Sequence, residues 1–388
     1  MKSDWRYKKI GDVCEVVSGS TPKTNVPEFW GTGHYWVTPA ELDDTTVYIN
    51  KTERQITDAA LNQTKLQLLP IGTVLLSSRA PIGKVAIANT EMYCNQGFKN
   101  CICSEEIYNK FLFYFFKYKK DYLNSLGRGA TFKEISKSIL EKVNIPLPSI
   151  NTQKSIVAEL DKTNELIALK KLQLTDFNRL AQSIFYNMFG DPVVNEKGWE
   201  KKTLKNICSK ITDGTHDTPE RVNKGIKFIT GKHIRPYYID YENSDYVTEE
   251  IHKEIFLRCN PEFGDVLYTN IGAGIGNAAL NTVEYEFSMK NVALLKPQKN
   301  IIDGYFIEFY LNNDDIKSKI IDIYSNGGAQ RFLSLKSIAQ IPIVLPPLSL
   351  QLSFAARISI IEQQKQQLCS SIQDLETLLN SRMQHWFD

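Results

Sequence analysis

Three kinds of loop chemistry recur at matching places in the two halves of this 388-residue chain. Ser18-Gly-Ser-Thr-Pro-Lys23 is echoed by Thr212-Asp-Gly-Thr-His-Asp-Thr-Pro219, and Arg79-Ala-Pro-Ile-Gly-Lys84 by Asn270-Ile-Gly-Ala-Gly-Ile-Gly-Asn277. Near the end of each half, Gly127-Arg-Gly-Ala-Thr-Phe-Lys133 is echoed by Gly327-Gly-Ala-Gln-Arg-Phe332. Glycine lets backbone approach a phosphate, threonine and backbone N–H groups donate to it, and lysine or arginine neutralises its charge. Arg, Asn, Gln and His also have the donors and acceptors that read base edges. The loops therefore suit duplex DNA. Lys23 and Lys84 are the candidate phosphate contacts, with Thr21, Lys133, Thr215 and Lys232 beside them. Arg79, Arg128, His216, Asn270, Gln330 and Arg331 are the candidate base readers.

Other chemistries find little support. There is no G-x-x-x-x-G-K-[ST] phosphate loop, and the five histidines show no metal-ligand spacing. Gly272-Ala-Gly-Ile-Gly276 and Asn260-Pro-Glu-Phe263 superficially resemble a nucleotide loop and the Asn-Pro-Pro-Tyr/Phe element of adenine-N6 methyltransferases. A turn accounts for both, because Glu262 stands where that element has its second proline. No catalytic residue and no metal site is expected. Seven scattered cysteines read as reduced thiols, even where Cys94, Cys101 and Cys103 cluster. A net charge of +2 does not by itself announce a nucleic-acid partner, so any basic surface must be local. With 42% hydrophobic residues and no run long enough to cross a membrane, the expectation is a globular, cytoplasmic protein.

The elements that must position these loops follow from an internal repeat. Trp5-Arg-Tyr-Lys-Lys-Ile-Gly-Asp-Val-Cys14 returns as Trp199-Glu-Lys-Lys-Thr-Leu-Lys-Asn-Ile-Cys208, and Trp36-Val-Thr-Pro-Ala-Glu-Leu42 as Phe228-Ile-Thr-Gly-Lys-His-Ile234. Towards each end the match is gapless, pairing Gln153 with Gln351 and Phe189 with Phe387. The chain is two copies of one unit: mixed domains at 1–150 and 191–346, each followed by a helix, at 151–190 and 347–388. Short β-rich runs between Gly, Pro and Asn turns place the domains in the α/β (α+β) class, with one helix apiece at 107–122 and 302–313. The aromatic run Phe111-Leu-Phe-Tyr-Phe-Phe116, matched to Tyr305-Phe-Ile-Glu-Phe-Tyr310, reads as core packing.

Ile156, Leu160, Ile167, Leu174, Phe177, Ala181, Ile184 and Met188 form a coiled-coil seam, repeated by Phe354, Ile358, Ile361, Leu368, Ile372, Leu375, Leu379 and Trp386. Burying one seam against the other predicts an antiparallel pair, with the domains at opposite ends of a rod and related by a pseudo-two-fold axis. Such a rod would act as a ruler between two half-sites, which should differ because the loops differ. Leu169 and Leu172 fall on the outer face, where a docked partner would account for them.

The paired layout, Asp213-Gly-Thr-His216, Ile145-Pro-Leu-Pro148 with Gln153, Leu345-Pro-Pro347 with Gln351, and Met188-Phe-Gly-Asp-Pro192 together resemble the DNA specificity subunit of type I restriction-modification enzymes. The resemblance implies two target recognition domains that bind an asymmetric bipartite sequence in double-stranded DNA. It further implies assembly with two methyltransferase (modification) subunits and two restriction subunits of ATP-dependent translocase/endonuclease type. S-adenosylmethionine, ATP and Mg would then belong to those partners, and this chain would direct their methylation and cleavage. Ser18-Gly-Ser-Thr-Pro22 lacks the Gly-Thr-His form, so a role for His216 does not carry over to the first domain. The alternatives are a methyltransferase or nuclease in its own right, or the specificity subunit of a related type II system.

Overall fold

The computed structural model describes residues 5–79, 81–129, 133–325 and 331–388. It divides into two compact units, Met1–Lys171 with Ser370–Asp388, and Leu172–Cys369. Both units repeat one topology.

In the first unit, strands Cys14–Ser18, Lys99–Cys103, Val74–Leu76, Val85–Ala88 and Tyr48–Ile49 lie side by side in that order. The second unit repeats the first four as Cys208–Asp213, Ala293–Pro297, Val266–Tyr268 and Ala278–Leu280. A smaller sheet accompanies each: Gln55–Ile56, Trp30–Val37 and Tyr93–Cys94 in one, Asp245–Val247, Ile226–Thr230 and Ser288–Lys290 in the other. In both smaller sheets the last pairing is parallel and the other antiparallel. The Trp5 and Trp199 repeats open on two-stranded ribbons, with Arg6 opposite Leu147 and Glu200 opposite Leu345. This mixed α and β architecture is the class expected from the alternating runs and turns.

The domain helices are more numerous than the sequence suggested. Asn109–Tyr118 is followed by Lys120–Leu126, and Gly304–Asn312 by Asp314–Tyr324. The side chain of Asn313 accepts from the Ile316 N–H and starts the latter, helped by Asp314 and Asp315 in its first turn. Its alternating charges hid a face that buries only Ile316 and Ile320. Another helix, Glu249–Cys259, begins at the N-cap Thr248. All six residues of Phe111–Phe116 are buried, as core packing requires. The seven cysteines are free thiols.

The two long helices run Ile150–Phe189 and Leu348–Phe387, 40 residues each. Every seam position named above is buried or half-buried. Within the first unit the helical segments run antiparallel, as Glu159 pairs with Arg382 at 3.0 Å and Lys171 with Glu376 at 2.7 Å. Within the second, Phe354 near the start of the last helix meets Phe185 and Phe189 near the end of the central one, with ring centroids 5.7 and 5.2 Å apart.

Each domain is tied to the helix that follows it by one buried glutamine. Gln153 Oε1 accepts from the Tyr108 N–H at 2.8 Å, and its Nε2 donates to the carbonyls of Glu106 and Pro148 at 2.9 and 3.0 Å. Gln351 does the same with the Asp303 N–H at 2.9 Å and the carbonyls of Ile301 and Pro346 at 3.3 and 2.7 Å. Tyr108 thus corresponds to Asp303, and Phe111 to Phe306. The aromatic runs are therefore offset by one residue from the match that pairs Phe111 with Tyr305.

Candidate nucleic-acid interface

In each domain the loops named above meet through backbone bonds, and the repeat explains why. After the first strand of the larger sheet the chain passes so close to the smaller sheet that only glycine fits. A Cβ on Gly19 would lie 1.8 Å from the Asn95 carbonyl oxygen, and one on Gly214 1.8 Å from that of Met289. The next residues bond alike: the Ser20 N–H donates to the Cys94 carbonyl at 2.9 Å, and the Thr215 N–H to the Met289 carbonyl at 3.0 Å. One position further on, the chemistry diverges. In the first domain Thr21 Oγ1 donates to Gln96 Oε1, whereas His216 Nδ1 lies 3.1 Å from Asn291 Oδ1. The same frame carries different polar groups.

His216 is exposed, and its Nε2 sits 3.0 Å from the buried carboxylate of Asp213, which also pairs with Arg258 at 2.5 Å. Lys23 is exposed beside Thr21, and its carbonyl accepts from the Trp30 indole at 3.2 Å. Lys84 turns inward, donating to the Pro39 carbonyl at 3.1 Å. Lys232 lies within the matching turn of the second domain. Thr38 with Glu41 and Thr230 with His233 form equivalent capping boxes. Lys232 pairs there with Asp245 at 3.1 Å, and Arg221 reaches the same carboxylate at 3.2 Å. His233 is buried, and desolvation, aided by Lys232, holds its pKa below the ordinary value.

Arg79 and Arg128 come together through Glu134. Both pair with it as backbone bridges, and Arg79 Nε lies 2.9 Å from its carboxylate, with the nearly buried Lys99 3.0 Å away on the other oxygen. Burial pushes the Glu134 pKa up, but hydrogen bonds from Lys99 and Arg79 outweigh it and hold the group ionised below its ordinary value. Arg128 and Lys133 are exposed.

The second domain uses this frame differently. The Leu333 N–H donates to the Asn270 carbonyl at 2.8 Å, as the Ile135 N–H does to Ser78 at 2.9 Å. Asn270 therefore matches Ser78 and not Arg79, whose counterpart is Ile271, bridged to Phe332. The reader expected at Asn270 is only 9% exposed, because the shift by one residue turns its side chain away from solvent. Phe332 is 41% exposed where the first domain has Glu134, and Arg331 pairs loosely with Asp322 at 3.5 Å. Gln330 lies outside the described residues. Sequence reading passed over Gln96, Asn291 and Glu134, and quoted Phe332 without giving it a place; only strand register shows which residue each faces.

The motifs that resembled enzyme elements are turns. Asn260 caps a helix C-terminus in the left-handed conformation, and its Nδ2 donates to Glu262. Gly272–Gly276 lies in the connection between two antiparallel strands, not between a strand and a helix. No helix in the described residues is long and apolar enough to cross a membrane, and none of their His, Cys, Asp and Glu groups clusters as a metal site.

A family model described as the type I restriction modification DNA specificity domain matches residues 2–176 and again 196–374. This chain belongs to that specificity family. Its two matches reproduce the repeat. The specificity subunit of the type I restriction enzyme MjaIX from Methanocaldococcus jannaschii is 32% identical, the alignment covering 94% of this chain and 89% of the relative. The putative MjaX specificity subunit of the same organism is 26% identical over 92% of this chain and 87% of its own length. A crystal structure of the type I restriction-modification S subunit from M. genitalium shares the specificity fold, with a TM-score of 0.61 at 19% identity, over 99% of this chain and 96% of that one. The family assignment makes this chain a DNA recognition subunit acting with other subunits of a restriction-modification system.

Proposed function

We propose that this specificity subunit reads an asymmetric bipartite target, one half-site per domain, and catalyses nothing itself. The observation that carries the reading is the pair Thr21–Gln96 and His216–Asn291: one backbone frame, built twice, presents different polar groups at the same position. Thr21, Lys23, Arg79, Arg128 and Lys133 form the DNA face of the first domain. Thr215, His216, Lys232 and Arg331 form that of the second. Lys84 and Asn270 support their loops from beneath.

Two methyltransferase subunits dock on the central helix, whose Leu169 and Leu172 are 54% and 55% exposed. S-adenosylmethionine chemistry belongs to those subunits, and ATP and Mg to two restriction subunits that join for cleavage. The assembly works in the cytoplasm. The test is to express the chain with its modification partner and map methylated adenines by sequencing. A two-part target with unlike halves is expected; methylation by this chain alone would overturn the reading.

A further inference from the structure

One cation of the first domain is held on an aromatic platform. The Arg54 guanidinium carbon lies 3.8 Å from the Trp30 ring centroid and 5.4 Å from that of Trp36, and the two indoles meet edge to face at 4.9 Å. Arg54 is exposed, and among the described residues no carboxylate lies within ion-pair reach of it. Its backbone is fixed too: its carbonyl accepts from Thr52 Oγ1 at 2.5 Å and from the Trp36 N–H at 3.3 Å.

The platform is joined to the loop assigned above to DNA. The Trp30 indole donates to the Lys23 carbonyl at 3.2 Å, and that of Trp36 to the Ser20 carbonyl at 3.1 Å. A stacked guanidinium loses little freedom on binding and keeps the donors at its edge available in one plane. Domain two builds a different arrangement. There Arg221 lies 5.7 Å from the buried ring of Phe228, the counterpart of Trp36, and is neutralised by Asp245 at 3.2 Å.

We propose that Arg54 is a base-reading side chain of the first domain, which presents its fork to the O6 and N7 of a guanine from the Trp30 and Trp36 platform. A planar fork held by stacking, with no carboxylate partner among the described residues, suits two convergent acceptors on a base edge better than a phosphate, for which a flexible lysine serves. The inference rests on the reading of this loop face as DNA-contacting.

The test uses the full chain with its modification partner, and measures both the methylated target and binding to duplexes altered one base pair at a time. In Arg54→Ala, discrimination at one G·C pair of one half-site should fall by roughly 5- to 150-fold, with the other half-site unchanged. Arg54→Lys should lose the same discrimination, since it keeps the charge and not the fork. Equal weakening of every sequence would make Arg54 a phosphate contact and overturn the inference, as would an unchanged target. Failure of the unsubstituted complex to show any defined target would instead overturn the DNA reading, and this assignment with it.

Discussion

The ring of Phe387, the penultimate residue, lies 5.2 Å from that of Phe111 in the core of the first unit. Its repeat mate Phe189 meets Phe306, the counterpart of Phe111, at 4.7 Å in the second unit. Each long helix thus ends as a plug in a core built from other segments of the chain. Both plugs are at most 2% exposed. Phe387→Ala should cost about 3–5 kcal/mol, the usual range for emptying a buried phenylalanine site. Chemical denaturation checks this; a loss below about 1 kcal/mol would mean that the end of the chain is not part of the core.

Gln153 and Gln351 give a second stability test. Replacing either by Leu removes the partner of a part-buried backbone N–H and of two carbonyls, one of them buried, at about 1–3 kcal/mol for each group that water cannot reach. The two substitutions should destabilise to similar extents. Denaturant midpoints report it, and a neutral Gln153→Leu would contradict the proposed tie between domain and helix.

Glu308 sets a pH dependence. Burial raises its pKa from 4.5 to about 8, although the Leu280 N–H, 2.8 Å from Oε1, favours the ionised form. In the unfolded chain the group ionises near its ordinary value. Between about pH 4.5 and 8 the unfolded state therefore binds fewer protons than the native one, and stability falls as pH rises, by at most about 1.4 kcal/mol per unit. Glu308→Gln should flatten that slope in denaturation curves collected across this range. An unchanged slope would place its origin elsewhere.

Much of this was legible because a repeat reports twice. The seam positions, the glutamines and the loop motifs all have mates, and a residue type kept in both copies marks a shared constraint. Register was not legible. Asn270 and Arg79 look equivalent in sequence, yet the Leu333 and Ile135 bonds place Asn270 with Ser78, because the glycine-rich turn after it is longer. The helix 314–324 was hidden by its charges, and Glu134 by distance: it lies 55 residues from Arg79 in the chain.

Phosphate and base contacts should separate in solution. Lys23→Ala should weaken all sequences and reduce the salt dependence of binding by about one unit of log–log slope. His216→Ala should cost about 1–3 kcal/mol and relax one position of one half-site. Salt titrations against cognate and altered duplexes distinguish them; a flattened slope without loss of discrimination in His216→Ala would move it to the phosphate group.

Docking on the central helix is tested by Leu169→Glu combined with Leu172→Glu. Exposed leucines contribute little to the fold, so the chain should melt normally while losing co-purification with the modification subunit. Retained assembly would place the partner elsewhere.

The central claim is that each domain reads its own half of an unlike pair. Exchanging the loops of residues 1–150 for those of a relative, and sequencing methylated adenines in cells that carry the complex, tests it most directly. The account predicts that one half-site changes while the other half-site and the spacer stay as they were. A target altered in both halves, or in neither, would contradict it.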